Sequence, residues 1–230
     1  MSPAWEVLAG LGAAYTVGPQ AAARLGLGVV RARPQARGLV ALTFDDGPWA
    51  GPTERVVRLL AEHDAQATFF MVGARVEARP DLARTVVEAG HAIGNHTQHH
   101  RHLWTAGPLA TWRELAAASE AITEATGARP RLFRPPWGIL NLASLAVCRK
   151  LGMAPVLWSV RSEGFFWRPG PEEMAEYVLR QACDGAIVDL HDAGPGGAEP
   201  TAVLEALPLV LRGLGRLGLR SVGLPALLGL

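Results

Sequence analysis

The residues of this chain that are best suited to chemistry occur in short polar stretches. Two adjacent carboxylates, Asp45 and Asp46, follow an apolar run and precede a Gly-Pro turn. Residues 91–102 contain five of the seven histidines in the chain. Imidazoles combined with one carboxylate suit a zinc site that keeps a coordination position open for water. The two stretches therefore indicate a catalytic metal site with Asp46 as the available carboxylate.

Within the histidine-rich stretch, His96 and His100 are the candidate metal ligands. They are four residues apart, which would bring both imidazoles to one face if the loop makes a helical turn. Imidazole suits cobalt and nickel as well as zinc. A solvated polar loop is the alternative interpretation of this stretch.

Two further stretches add a fixed cation and another titratable group. Arg134 enters the sequence Arg-Pro-Pro-Trp-Gly, in which the two prolines stiffen the backbone. A guanidinium at a strand end can orient a carboxylate, and a rigid loop can direct a following N–H into a pocket. His191 follows another apolar run, within Asp-Leu-His-Asp.

These stretches fall at the ends of apolar runs that alternate with helical patterns. Strands are predicted over 39–44, 67–72, 91–95, 132–134, 154–160, 186–190 and 220–224. Helices are predicted over 52–63, 80–89, 109–126, 142–151, 171–181 and 201–217. Repeated strand-helix units predict an α/β fold with a parallel sheet, closed into a barrel or left open. In such a sheet, functional side chains gather beyond the carboxyl ends of the strands.

Composition and charge exclude several classes of protein. Hydrophobic residues make up 49% of the 230 residues, which permits a sizeable core and excludes a disordered or fibrous chain. The formal net charge of +1 supplies no field that would attract nucleic acid, so we expect no nucleic-acid partner.

The chain is predicted to consist of an N-terminal extension, 1–37, and a catalytic domain, 38–230. The extension is expected to be helical or partly disordered. Glu6 precedes the first arginine, so a cleavable signal peptide is not expected, and polar residues interrupt the apolar stretch before it reaches membrane-spanning length. The arginines that follow this stretch would suit a weak interfacial membrane anchor as the alternative to a packed helix.

Taken in order, the polar stretches resemble the motifs of the polysaccharide deacetylase family, which has the NodB homology domain and is carbohydrate esterase family 4. The matching sequences are Thr-Phe-Asp-Asp-Gly-Pro at 43–48, His-Thr-Gln-His-His at 96–100, Arg-Pro-Pro-Trp-Gly at 134–138 and Leu-His at 190–191. The resemblance covers roughly 38–225 and implies a distorted barrel of seven βα units.

The resemblance also implies roles for the polar residues. Asp46, His96 and His100 would hold one divalent metal, with zinc expected and cobalt or nickel as alternatives. Asp45 would be the catalytic base, and Arg134 would orient it.

The remaining implied roles concern the leaving group and the substrate. His191 would be the catalytic acid that protonates the leaving amine. The backbone N–H of Trp137 would contact the developing oxyanion, and Pro136 and Leu190 would join Trp137 in binding the substrate.

One motif departs from the family pattern. Where the family has Asp-x-x-Asp-Trp, this chain has Arg161, Gly164 and Phe165 in place of the two aspartates and the tryptophan. The second aspartate of that motif orients the catalytic histidine in the family. We expect Glu163 to substitute from a neighbouring position by contacting one ring nitrogen of His191.

The function implied by the resemblance is a metal-dependent hydrolase that removes N-acetyl groups from amino sugars of a glycan, such as peptidoglycan or a chitin-like oligosaccharide. One alternative is an amidase or deformylase acting on another acylated amine, such as a polyamine or a lipid-linked sugar. Another is an inactive carbohydrate-binding homologue. The resemblance favours a role in the cell envelope.

Overall fold

A curled parallel sheet forms the centre of the fold in the computed structural model, which describes residues 4–163, 167–194 and 198–230. The described strands are β1 (Leu39–Gly47), β2 (Ala67–Met71), β3 (Ala92–Asn95), β4 (Leu132–Phe133), β5 (Ala154–Pro155), β6 (Val160–Arg161), β7 (Ile187–His191) and β8 (Arg220–Ser221). Their order is β5-β4-β3-β2-β1-β7-β6, and β8 pairs with the start of β1. The predicted α/β class and barrel-like curvature are confirmed.

Helices connect the strands and cover the outside of the sheet. The described helices are α1 (Ala4–Arg24), α2 (Pro52–Ala61), α3 (Gly73–Ala78), α4 (Pro80–Glu88), α5 (Pro108–Thr126), α6 (Leu142–Leu151), α7 (Pro171–Gln181), α8 (Thr201–Arg216) and α9 (Leu224–Leu228). Five of them, α2, α4, α5, α7 and α9, have proline in the first turn, where its missing N–H leaves no helical hydrogen bond unmade. All six predicted helices are present, with ends that differ by no more than two residues.

The alternation of side chains along β1 separates the hydrophobic core from the chemical site. Val40, Leu42 and Phe44 pack in the main core beneath the helices. Thr43 and Asp45 point to the opposite, inner face, where both contact a buried arginine. Because successive side chains on a strand point to opposite faces, one strand can anchor the core and carry catalytic groups.

The apolar run 154–160 forms two short strands and not the single predicted strand. Its middle pairs with the segment that follows α1: the Val30 N–H donates to the Pro155 carbonyl, and the Leu157 N–H donates to the Val30 carbonyl. This long-range pairing separates β5 from β6. Further along the same segment, Ala32 bridges to Ala186 at the start of β7.

The N-terminal region is therefore in contact with the sheet. Helix α1 packs against α6, and Tyr15 donates a hydrogen bond to the Ala106 carbonyl. The division into 1–37 and 38–230 stays a prediction. None of the helices among the described residues combines the length and the apolarity needed to cross a bilayer.

Candidate active site

Both carboxylates at the end of β1 reach the same site because the strand bulges between them. The pairing of β1 with β2 shifts register between Asp45 and Gly47, which leaves Asp46 as the extra residue. Asp46 has φ of 75°, a left-handed conformation that a non-glycine residue adopts at some cost. A bulge re-aims side chains, so neighbouring residues that would otherwise face apart can act at one place.

The two predicted histidine ligands are close together, but the loop that carries them is not helical. Thr97 and His100 have φ of 66° and 54°, and these left-handed residues bend the loop after β3. The loop therefore does not make the helical turn that would bring both imidazoles to one face of a helix. The ring centroids of His96 and His100 nevertheless lie 5.1 Å apart.

One ring nitrogen of His96 is directed toward the carboxylates. Its Nδ1 lies 2.7 Å from the Arg134 carbonyl oxygen, which can only accept a hydrogen bond. Nδ1 therefore carries the proton in the neutral ring, and the lone pair of Nε2 is left for a metal ion.

Asp46, His96 and His100 form a group with the chemistry of a metal site. Asp46 Oδ1 lies 2.9 Å from His100 Nε2 and 3.4 Å from His96 Nε2, and one ligand atom from each residue falls within 4.8 Å of the others. Burial raises the pKa of Asp46, but the contacts with the His100 and His96 side chains outweigh it and hold that pKa well below its usual range. One carboxylate and two imidazoles fit a divalent cation that retains open positions.

A second group of possible ligands, Asp45, Asp189 and His191, has a different character. The guanidinium of Arg134 already lies against both of its carboxylates, at 2.8 Å from Asp45 and 3.3 Å from Asp189. A metal ion there would have to approach an existing positive charge. The geometry therefore favours Asp46, His96 and His100 as the candidate metal site, which is called the metal-binding group below.

Arg134 fixes the predicted base from inside the sheet. Its side chain is fully buried, and Nη1 donates to Asp45 Oδ1 and to Thr43 Oγ1. The guanidinium also lies over the Phe70 ring, 4.2 Å from its centroid. Asp45 Oδ2 is directed toward the metal-binding group, 3.9 Å from His96 Nε2.

The predicted contact between Glu163 and His191 is present. Glu163 Oε1 lies 3.0 Å from His191 Nδ1. Burial lowers the pKa of His191, but the bond to Glu163 and the charges of Asp189, Asp45 and Asp46 outweigh it and raise that pKa to about 10. Gly164 and Phe165, the other departures from the family motif, lie outside the described residues.

Trp137 lies beside the metal-binding group on a tight turn. It has φ of 55°, and its ring centroid is 4.4 Å from that of His100. The side chain is 49% exposed, whereas the preceding Pro136 is buried and supports the turn from below.

The placement of Leu190 corrects the prediction that it binds substrate. Its side chain is buried in the main hydrophobic core beneath the helices. Strand alternation directs Leu190 away from the face that carries His191 and places Asp189 on that face instead.

An open cleft of about 680 Å³ gives access to this site. The predicted site residues that line it are Asp46, His100, Trp137, Glu163 and His191. Three arginines, Arg75, Arg161 and Arg168, lie at the same cleft.

Sequence reasoning missed Asp189 and Gln20 as neighbours of the site. Asp189 could have been found from strand alternation, since it precedes His191 by two residues. Gln20 gave no local signal: its side chain reaches across to donate to the Gly138 carbonyl and accept from the Leu140 N–H.

Comparison with known proteins defines the class to which this fold and site belong. The family model described as polysaccharide deacetylase matches residues 32–156, more than half of the chain. The chain belongs to the polysaccharide deacetylase family.

Individual relatives extend the similarity over most of the chain. A peptidoglycan-N-acetylglucosamine deacetylase of Bacillus cereus is 36% identical over 196 residues, which are 85% of this chain and 90% of the relative. A chitooligosaccharide deacetylase of a Bradyrhizobium species is 38% identical and covers 82% of this chain and 90% of its own length. A crystal structure of a peptidoglycan N-acetylglucosamine deacetylase matches with a TM-score of 0.81 and 28% identity, covering 87% of this chain and 92% of the other.

Proposed function

We propose that this chain is a metal-dependent deacetylase that hydrolyses N-acetyl groups on the amino sugars of a glycan. The observation that carries the proposal is the position of Asp45, whose carboxylate has one oxygen on Arg134 and the other directed at the metal-binding group. A base held in this way, with a histidine nearby, suits hydrolysis of an amide. The relatives named as glycan deacetylases support an acetylated amino sugar as the substrate.

Zinc is the metal that we propose for Asp46, His96 and His100, with cobalt or nickel as alternatives. The donor set of one carboxylate and two imidazoles and the fixed tautomer of His96 support this assignment. When bound, such a cation supplies a Lewis acid that polarises the acetyl carbonyl and lowers the pKa of a water molecule.

Asp45 acts as the general base in this proposal. Its Oδ1 is held by the Arg134 guanidinium, so Oδ2 remains to accept the proton from the attacking water. Because Arg134 is fully buried and also bound to Thr43, the carboxylate has little freedom to rotate away.

His191 acts as the general acid. With its pKa raised to about 10, the ring carries a proton on both nitrogens at neutral pH. Glu163 occupies Nδ1, which leaves Nε2–H as the group that donates a proton to the departing amine. An amine leaves an amide far more readily once it is protonated, so this step separates the amino sugar from acetate.

Trp137 contributes at the substrate side of the cleft. Its backbone N–H is proposed to donate to the oxyanion that develops on the acetyl carbonyl, as an oxyanion hole does. The half-exposed indole ring offers an apolar surface for a sugar ring, and the buried Pro136 keeps the turn rigid.

Acetate release is the direct test. Zinc-loaded protein is incubated with N-acetylglucosamine oligomers, with peptidoglycan and with an N-acetylated polyamine. The proposal predicts acetate from at least one of the two glycans, and loss of that activity in Asp45→Asn protein that still binds zinc.

Each other outcome contradicts part or all of the proposal. Acetate released only from the polyamine would replace the glycan by another acylated amine. Folded, zinc-loaded protein that binds a glycan without releasing acetate would indicate the inactive carbohydrate-binding homologue.

A further inference from the structure

Asp189 is a buried carboxylate beside the catalytic groups that the mechanism above does not use. It lies on β7, its side chain is 1% exposed, and it shares the inner face of the sheet with His191. In the register of the sheet it stands next to Thr43 on β1 and next to Arg161 on β6. Buried acids are rare unless they are paired, so the position calls for an explanation.

The pairing partner of Asp189 is the arginine that also holds the base. Arg134 Nη1 lies 3.3 Å from Asp189 Oδ1 and 2.8 Å from Asp45 Oδ1. One guanidinium nitrogen therefore lies between two acids that approach it from different strands. The Phe70 ring covers a face of the guanidinium, which also donates hydrogen bonds to Thr43 Oγ1 and to the Leu157 carbonyl.

Asp189 also connects this pair to the proposed acid. Ligand atoms of Asp45, Asp189 and His191 lie within 4.8 Å of one another. The two acids carry more negative charge than Arg134 neutralises when both are ionised. The excess lies beside His191, where it favours the protonated ring.

We propose that Asp189 is a positioning residue for deacetylation: it holds the same Arg134 nitrogen that binds Asp45, and it keeps His191 in its charged form. This inference rests on the proposed function. Asp189 acts through its two neighbours and needs no contact with the substrate, which its burial would prevent.

The charged groups around these residues come from strands β1, β6 and β7, from the residue after β4 and from the segment after β6. Asp189 is faced by Asp45, Arg134, Arg161 and His191, and burial followed by the charge of Asp45 raises its pKa to about 7. His191 is faced by Glu163, Asp189, Asp45 and Asp46. Asp45 faces both residues, and Asp189 lies on the same strand as His191.

The substitution Asp189→Asn removes the negative charge of the side chain while keeping its shape. The amide keeps the size of the side chain and an oxygen that can accept from Arg134, but it removes the negative charge. The matched control is Asp184→Asn, which makes the same change near the opposite end of β7, where Asp184 binds Arg37 and the Gly38 N–H.

Kinetics of zinc-loaded protein on the N-acetylated glycan from which it releases acetate give the first measurement. We expect Asp189→Asn to lower kcat about tenfold and to change KM less than about twofold, because it disturbs the reacting groups without contacting substrate. The alkaline limb of the pH profile of kcat/KM is expected to move to lower pH. The Asp184→Asn control is expected to have the same kcat, KM and pH profile as the unmodified protein. An Asn variant with unchanged kcat and pH profile would overturn the inference, because a carboxylate that only fills space is replaced by an amide without such effects.

An NMR titration of the His191 ring gives a second measurement that does not depend on activity. The titration midpoint is expected to fall in zinc-loaded Asp189→Asn and to stay in place in Asp184→Asn. An unchanged midpoint would overturn the inference even if the protein is an active deacetylase. If the unmodified protein releases no acetate but the midpoint still falls in Asp189→Asn, the proposed function is contradicted. The coupling of Asp189 to His191 is then established all the same. If the Asn variant does not fold, Asp189→Ser is measured in the same way.

Discussion

Glu163 and His191 are joined by a 3.0 Å contact between Oε1 and Nδ1. The glutamate lies two residues beyond β6, and the histidine is the last residue of β7. The contact holds the ring in one orientation and favours its charged form. A carboxylate is thus present at the histidine although the sequence lacks an aspartate at 164, where the resemblance would place one.

Replacing Glu163 tests this contact through pH dependence. A general acid works while it is protonated, so activity is expected below the pKa of His191, about 10, and is lost as pH rises through it. Glu163→Gln removes a cause of the raised pKa, so the alkaline limb of kcat/KM moves to lower pH and kcat falls about tenfold or more. The control is Glu172→Gln, an exposed acid in the first turn of α7. Identical profiles for the two variants would contradict the assigned role.

Removing Arg134 is expected to destabilise the fold. Arg134→Met leaves the buried carboxylates of Asp45 and Asp189 without their shared cation, which costs about 3–5 kcal/mol of unfolding free energy. Urea denaturation at neutral pH measures the loss. Arg131→Met, three residues earlier and exposed, is expected to change stability by no more than about 0.5 kcal/mol. Equal effects of the two substitutions would show that Arg134 does not neutralise the buried acids.

Metal binding is expected to stabilise the protein. Zinc at 100 times its Kd adds about 2.7 kcal/mol, equivalent to a rise in Tm of about 5–10 °C for a chain of this size. His100→Ala is expected to abolish most of this rise, because one of the three ligands is lost. His63→Ala, in the turn after α2, is expected to retain it. A full rise in the His100 variant would place the stabilising ion elsewhere.

The link between α1 and the Trp137 turn gives another prediction. Gln20→Ala removes the hydrogen bonds to the Gly138 carbonyl and from the Leu140 N–H, so we expect a loss of about 1–2 kcal/mol. The turn loses support, and kcat is expected to fall about threefold because the Trp137 N–H is less well positioned. Thr16→Ala, whose hydroxyl bonds Gly12 in its own helix, is the control for stability and kcat. A Gln20 variant that behaves like this control would show that α1 does not brace the turn.

The sequence allowed prediction of the parts of the site that depend on local pattern. Apolar runs located the ends of β4 and β7 to within one residue and the end of β1 to within three, and parallel strands bring their carboxyl ends to one edge. Asp45, Arg134 and His191 could therefore be expected to meet. Their motifs also supplied the family, which the comparisons confirm.

The features of the fold and the site that were not predicted depend on contacts between segments distant in sequence. The bulge at Asp46 and the left-handed backbone of Thr97 and His100 exist because the folded structure stabilises conformations that these residues rarely adopt alone. The split between β5 and β6 arises from pairing with Val30, and the Gln20 contacts come from α1. None of these features has a local sequence signature.

The metal-binding group is the point on which the hydrolytic account depends, and anomalous X-ray scattering at the zinc edge tests it most directly. Crystals of zinc-loaded protein are predicted to show an anomalous peak bound by the Asp46 carboxylate and by Nε2 of His96 and His100. A peak between Asp45, Asp189 and His191 instead, or no peak at these three ligands in fully loaded protein, would contradict the account.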